Sequence, residues 1–65
     1  MTNTEFDNFV IARHQNIKKA SEGKSVMYTV KLEDCFDRML YCRVTGKETE
    51  CQDLYNKLKY EFEGE

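Results

Sequence analysis

Within 65 residues there is room for one small hydrophobic core, and that limit constrains this chain more than any motif in it. Chains of this size bury only roughly 60% of the surface they expose unfolded, so disulfides, a metal or oligomerisation commonly complete their stability. Cys35, Cys42 and Cys51 are odd in number and irregularly spaced, which reads as three reduced thiols. No C-x-x-C occurs, and His14, the single histidine, stands 21 positions before the nearest cysteine, so neither a metal nor another cofactor is expected. Oligomerisation remains. The expectation is a single domain over residues 1–65 that forms a homodimer.

No apolar run reaches the roughly 20 residues of a membrane span, and Met1-Thr2-Asn3-Thr4-Glu5 is too polar for a targeting segment, so a cytoplasmic protein is expected. Hydrophobic residues make up 40% of the chain and include eight aromatics, enough core-forming material to exclude a disordered tail.

Without proline, the chain is punctuated by glycine and by charge clusters. Thr2-Asn3-Thr4-Glu5 has capping-box spacing, and Phe6, Phe9, Val10, Ile17 and Ala20 form one helical stripe, so a first helix is expected from about Glu5 to Glu22, closed by Gly23. From Ser25 to Leu32 the residues alternate, with Val26, Tyr28, Val30 and Leu32 on one side. Arg38 to Thr45 alternates in the same way, placing Leu40, Cys42 and Val44 inward and Met39, Tyr41 and Arg43 outward. Pairing Val26 with Val44, Tyr28 with Cys42 and Val30 with Leu40 keeps both apolar sets on one sheet face, with Glu33-Asp34-Cys35-Phe36-Asp37 as the loop. A competing pattern runs through the same residues: Leu32, Cys35, Phe36, Met39 and Leu40 recur at three and four, which suits a short helix after Asp34.

A final helix begins at Thr45 or Thr49, both with capping-box spacing, and presents Cys51, Leu54, Tyr55, Leu58 and Phe62, with Asp53 and Lys57 as a surface pair. The expected fold is therefore α+β, ordered helix-strand-strand-helix, with both helices on one face of a β-hairpin whose open edges favour dimerisation.

No motif carries chemistry by itself. Gly46-Lys47-Glu48-Thr49 lacks the earlier glycine and the Ser or Thr after lysine that a phosphate-binding loop requires. Cys42 and Cys51 fall on expected core faces, leaving Cys35 as the exposed thiol, and Glu33, Asp34 and Asp37 suit a turn. The formal charge of −2 hides an asymmetry: residues 13–31 carry five cations against one acid (5 − 1 = +4), and residues 48–65 carry two against six (2 − 6 = −4). Nucleic acid is disfavoured by a calculated pI near 5.4.

Arg13 falls inside the apolar stripe of the first helix, where a guanidinium must snorkel, pair with a carboxylate or receive an anionic ligand. Ile11 and Tyr60 point away from their own apolar faces, and the outer hairpin face gathers Met27, Lys31, Met39, Tyr41 and Arg43, a composition that suits an interface core. Arg13, Met27, Lys31, Met39, Tyr41, Arg43 and Tyr60 are the expected binding residues. The function expected is a non-catalytic binding protein, an inhibitor or adaptor of the viral (phage) or mobile-element type that blocks a host protein. The alternative is a homo-oligomer that sequesters an anionic nucleotide between subunits, with Arg13, Lys31 and Arg43 on phosphate and Tyr28 or Tyr41 stacked on the base.

Overall fold

A computed structural model describes residues 2–64, and the described chain is all-helical: α1 (Asn3–Ile11), α2 (Arg13–Ala20), α3 (Val26–Val44) and α4 (Glu48–Glu63). The expected hairpin is replaced by α3, one helix that runs through both anticipated strands and the loop between them.

Three physical reasons favour the helix. The five residues assigned to the hairpin loop include no glycine or asparagine to take up positive φ, so only its two aspartates favoured a tight turn. A loop would also have exposed Phe36, whereas in α3 that ring is 0% exposed and lies among Leu32, Met39 and Cys42 on the buried face. Ser25 caps the N-terminus of α3, where its hydroxyl oxygen accepts from the Tyr28 N–H at 3.3 Å. The strand propensity of Val26, Thr29, Val30 and Val44 is overridden by burial at the period of three and four.

The first helical segment follows the sequence closely. The Thr2 hydroxyl oxygen accepts from the Glu5 N–H at 3.1 Å, and Phe6 and Ile17 are buried while Phe9, Val10 and Ala20 pack partly beneath them. The backbone leaves helical geometry at Ala12 (φ −83°, ψ 3°), which divides it into α1 and α2, although Ala12 still donates to the Asn8 carbonyl at 3.1 Å and accepts from the Asn16 N–H at 2.9 Å.

At the far end of α3 the chain turns through Gly46 at φ +80°, where the Lys47 N–H donates back to the Cys42 carbonyl at 2.8 Å. Neither expected threonine cap forms. Lys47 is the residue preceding α4, and the Thr45 hydroxyl, still within the last turn of α3, donates to the Tyr41 carbonyl at 2.9 Å.

α3 and α4 lie antiparallel, tied at one end by the Tyr28 hydroxyl donating to Glu61 Oε2 (2.6 Å) and at the other by the Cys42 thiol facing Glu50 Oε2 (3.6 Å). The anticipated face of α4 is the one used, with Cys51, Tyr55 and Leu58 buried and Leu54 and Phe62 partly so. No ion pair joins Asp53 to Lys57 among the described residues; Gln52 instead donates to Asn56 at 2.9 Å. The α1–α2 arm packs across this pair through Phe9, whose ring lies 5.4 Å from Phe36, 4.6 Å from Tyr55 and 5.5 Å from Phe62, centroid to centroid.

Candidate functional site

Two of the expected binding residues are arginines, and both serve the fold. The Arg13 guanidinium pairs with Asp37 at 3.0 Å and stacks 4.9 Å above the Phe36 ring. Arg43 stacks 4.7 Å above Phe6 and donates to the Asn3 side-chain oxygen, so each arginine fastens the α1–α2 arm to α3. Lys31 is exposed, but it lies 12 residues before Arg43 on the same helix, about 18 Å along the axis. Within one subunit these cations do not converge on a common anion, and the Tyr28 hydroxyl is already engaged by Glu61.

Met39, placed on the outer face by the hairpin reading, is fully buried and is a core residue. Its sequence neighbours separate in the same way: Met27 and Tyr41 are exposed on α3, while Leu32, Phe36 and Cys42 are inside. Tyr60 is exposed on the outer side of α4 and Ile11 on α1. Cys35, expected in a loop, is half-buried on α3, and all three cysteines stand as free thiols. Burial holds the Cys51 thiol above its ordinary pKa, and burial together with the Glu50 carboxylate does the same for Cys42. Both are thereby kept from the reactive thiolate form. Glu65, counted in the acidic end of the chain, lies outside the described residues.

What the structure brings together is a surface the sequence reading did not assemble. Of the large apolar side chains left exposed, Val26, Met27, Val30, Tyr41 and Val44 all belong to α3, with Val26 79% and Val44 85% exposed. Val26, Val30, Tyr41 and Val44 fall within about 60° of one another on the wheel and so form one stripe opposite Leu32, Phe36 and Met39. The stripe spans about 27 Å and is interrupted midway by charge, where Asp34 forms an ion pair with Arg38 at 3.3 Å and Asp37 holds Arg13. A groove of about 620 Å³ between α3 and α4 opens beside it and is lined in part by Arg38, Tyr41 and Leu54. A separate groove of about 700 Å³ lies at the start of α4 beside Asn3 and Arg43, with Glu48 and Asp53 in its wall. These carboxylates oppose anion binding there. A 3.6-residue period tested across residues 26–44, together with Ser25 as a cap, is the signal that reveals the stripe from sequence.

Among the described residues no group of His, Cys, Asp and Glu side chains is arranged to hold a metal ion, and no helix is long and apolar enough to cross a membrane. Fold and surface together define a small all-α domain with an exposed apolar helix face. No family model, no curated protein and no solved structure matches the chain.

Proposed function

We propose that this is a non-catalytic protein-interaction module of the cytoplasm that works through the outer face of α3. The observation that carries the reading is the segregation on one 19-residue helix: its inner face supplies Leu32, Phe36, Met39 and Cys42 to the core, and its outer face leaves Val26, Met27, Val30, Tyr41 and Val44 in water. Exposed apolar residues gathered on one helix mark contact surfaces more often than the same residues scattered singly. An amphipathic helix of this length suits helix-to-helix recognition, with anchors spaced by three and four. Tyr41 is the anchor, because an exposed tyrosine gives a large contact area with little rotamer entropy to lose. Free cysteines suit a reducing compartment. A host protein blocked by this face, as the inhibitor reading has it, is one partner consistent with the module.

The test places a photoactivatable crosslinking residue at Val30 and, in a second protein, at Asn56 on the exposed side of α4. Irradiation in the producing cell should give a protein adduct from position 30 and none from position 56. Adducts from position 56 alone, or from neither, contradict the reading.

A further inference from the structure

We infer that the partner of the α3 outer face is a second copy of this chain, packed antiparallel so that the two α3 helices meet across a two-fold axis. The inference rests on the reading of that face as a contact surface and names its occupant.

A two-fold interface places the same patch on both sides, so residues equidistant from the axis must suit each other. On α3 the apolar residues stand symmetrically about the level of residues 35 and 36: Val26 with Val44, and Val30 with Tyr41. An antiparallel copy therefore sets Val26 and Val30 of one helix against Val44 and Tyr41 of the other, at both ends of the contact.

The charged centre obeys the same symmetry. Asp34 and Arg38, already 3.3 Å apart within one helix, lie on one flank of the stripe, about 40° apart on the wheel. A two-fold axis perpendicular to both helices keeps each flank against its own equivalent. Asp34 of each copy then faces Arg38 of the other, closing a ring of two carboxylates and two guanidinium groups. Asp37 lies within the stripe itself, between Val26 and Val30 on the wheel, and approaches Glu33 of the second copy, which stands on the opposite flank. Arg13 supplies the cation there, being 3.0 Å from Asp37 and sharing a small cleft with Glu33. A parallel pairing would match the apolar residues as well, Val26 on Val26 and Tyr41 on Tyr41, but it would set Asp34 against Asp34 and Arg38 against Arg38, so the charged centre selects the antiparallel arrangement. The dimer also answers the size problem, because each 65-residue chain gains apolar burial its own core is too small to supply.

Sedimentation equilibrium of the full chain tests the inference, with far-UV circular dichroism confirming that each variant keeps its helices. The wild type should approach twice the 7.7 kDa chain mass as concentration rises. Asp34→Arg sets a guanidinium, in place of the carboxylate, against Arg38 of the second copy and should raise the dissociation constant more than about tenfold. The double swap Asp34→Arg with Arg38→Asp restores opposite charges and should restore most of the affinity. A protein that stays monomeric, a dimer indifferent to Asp34→Arg, or a double swap as weak as the single overturns the inference. The crosslinking result separates the two claims: a monomer that still gives a position-30 adduct of heteromeric mass removes only the second copy, whereas a monomer giving no such adduct removes the contact surface as well.

Discussion

The guanidinium of Arg13 stands 4.9 Å above the ring of Phe36, the most deeply buried aromatic residue of the chain, and thereby joins the α1–α2 arm to the middle of α3. A cation inside an apolar stripe is accommodated here by a ring face below it and a carboxylate beside it. Arg13→Ala should lower stability by about 1–2 kcal/mol, mostly through lost stacking and packing. Asp37→Asn should lower it by less than about 1 kcal/mol, because the Asp37 carboxylate is 65% exposed and its ion pair is screened. Urea melts of the two variants and their combination give both numbers.

Phe36 itself is the residue whose loss the fold should tolerate least. Phe36→Ala removes a ring that contacts the arm through Phe9 and Arg13, and should destabilise by about 3–5 kcal/mol. In a domain this small that approaches the whole stability, so the expected observation is a broad or absent thermal transition. Phe36→Leu should retain a cooperative one.

The turn at Gly46 makes a separate, purely backbone prediction. A Cβ there meets nothing within 4 Å, yet φ is +80°, so Gly46→Ala is strained by its conformation and not by contact. A loss of about 1–2 kcal/mol is expected, and Gly46→Asn should lose less, since asparagine tolerates the left-handed region better. Thermal denaturation of the two variants separates these outcomes.

Alkaline pH should weaken the α3–α4 pair. The Tyr28 hydroxyl donates to Glu61, and that hydrogen bond, then burial and the Glu61 charge, raise its pKa above the ordinary 10.0. The unfolded chain therefore gives up this proton first as pH rises. Stability is fully present below the unfolded pKa and falls as pH climbs through the folded one. Cys42 and Cys51, raised above 9.0, act with the same sign from a lower starting pH. Urea midpoints between pH 8 and 11 should fall continuously, and Tyr28→Phe should remove the part of the fall that begins near pH 10.

The ends of the fold were legible because their signals are local. Thr2 with Glu5 caps α1, Gly23 and Gly46 mark the breaks, and the period of Cys51, Tyr55 and Leu58 has no rival on α4. The middle was not, because residues 26–32 and 38–44 satisfy period two as well as the helical period. The choice between them depends on where Phe36 is buried, which is a tertiary fact. The error propagated to the site: Met39 and Tyr41, two residues apart, share a face in a strand and are separated by a half-turn in a helix. Arg13 was recognised as out of place on its stripe, but its partners Phe36 and Asp37 belonged to the segment assigned to a loop.

The two faces of α3 are tested most directly by comparing Met39→Glu with Tyr41→Glu in urea denaturation. At a chain concentration low enough to keep the protein monomeric, a carboxylate at fully buried Met39 should abolish the cooperative transition, while at exposed Tyr41 it should leave the transition within about 0.5 kcal/mol of the wild type. Equal effects from both substitutions, as a strand carrying the two on one face would give, would contradict the helix and the surface built on it.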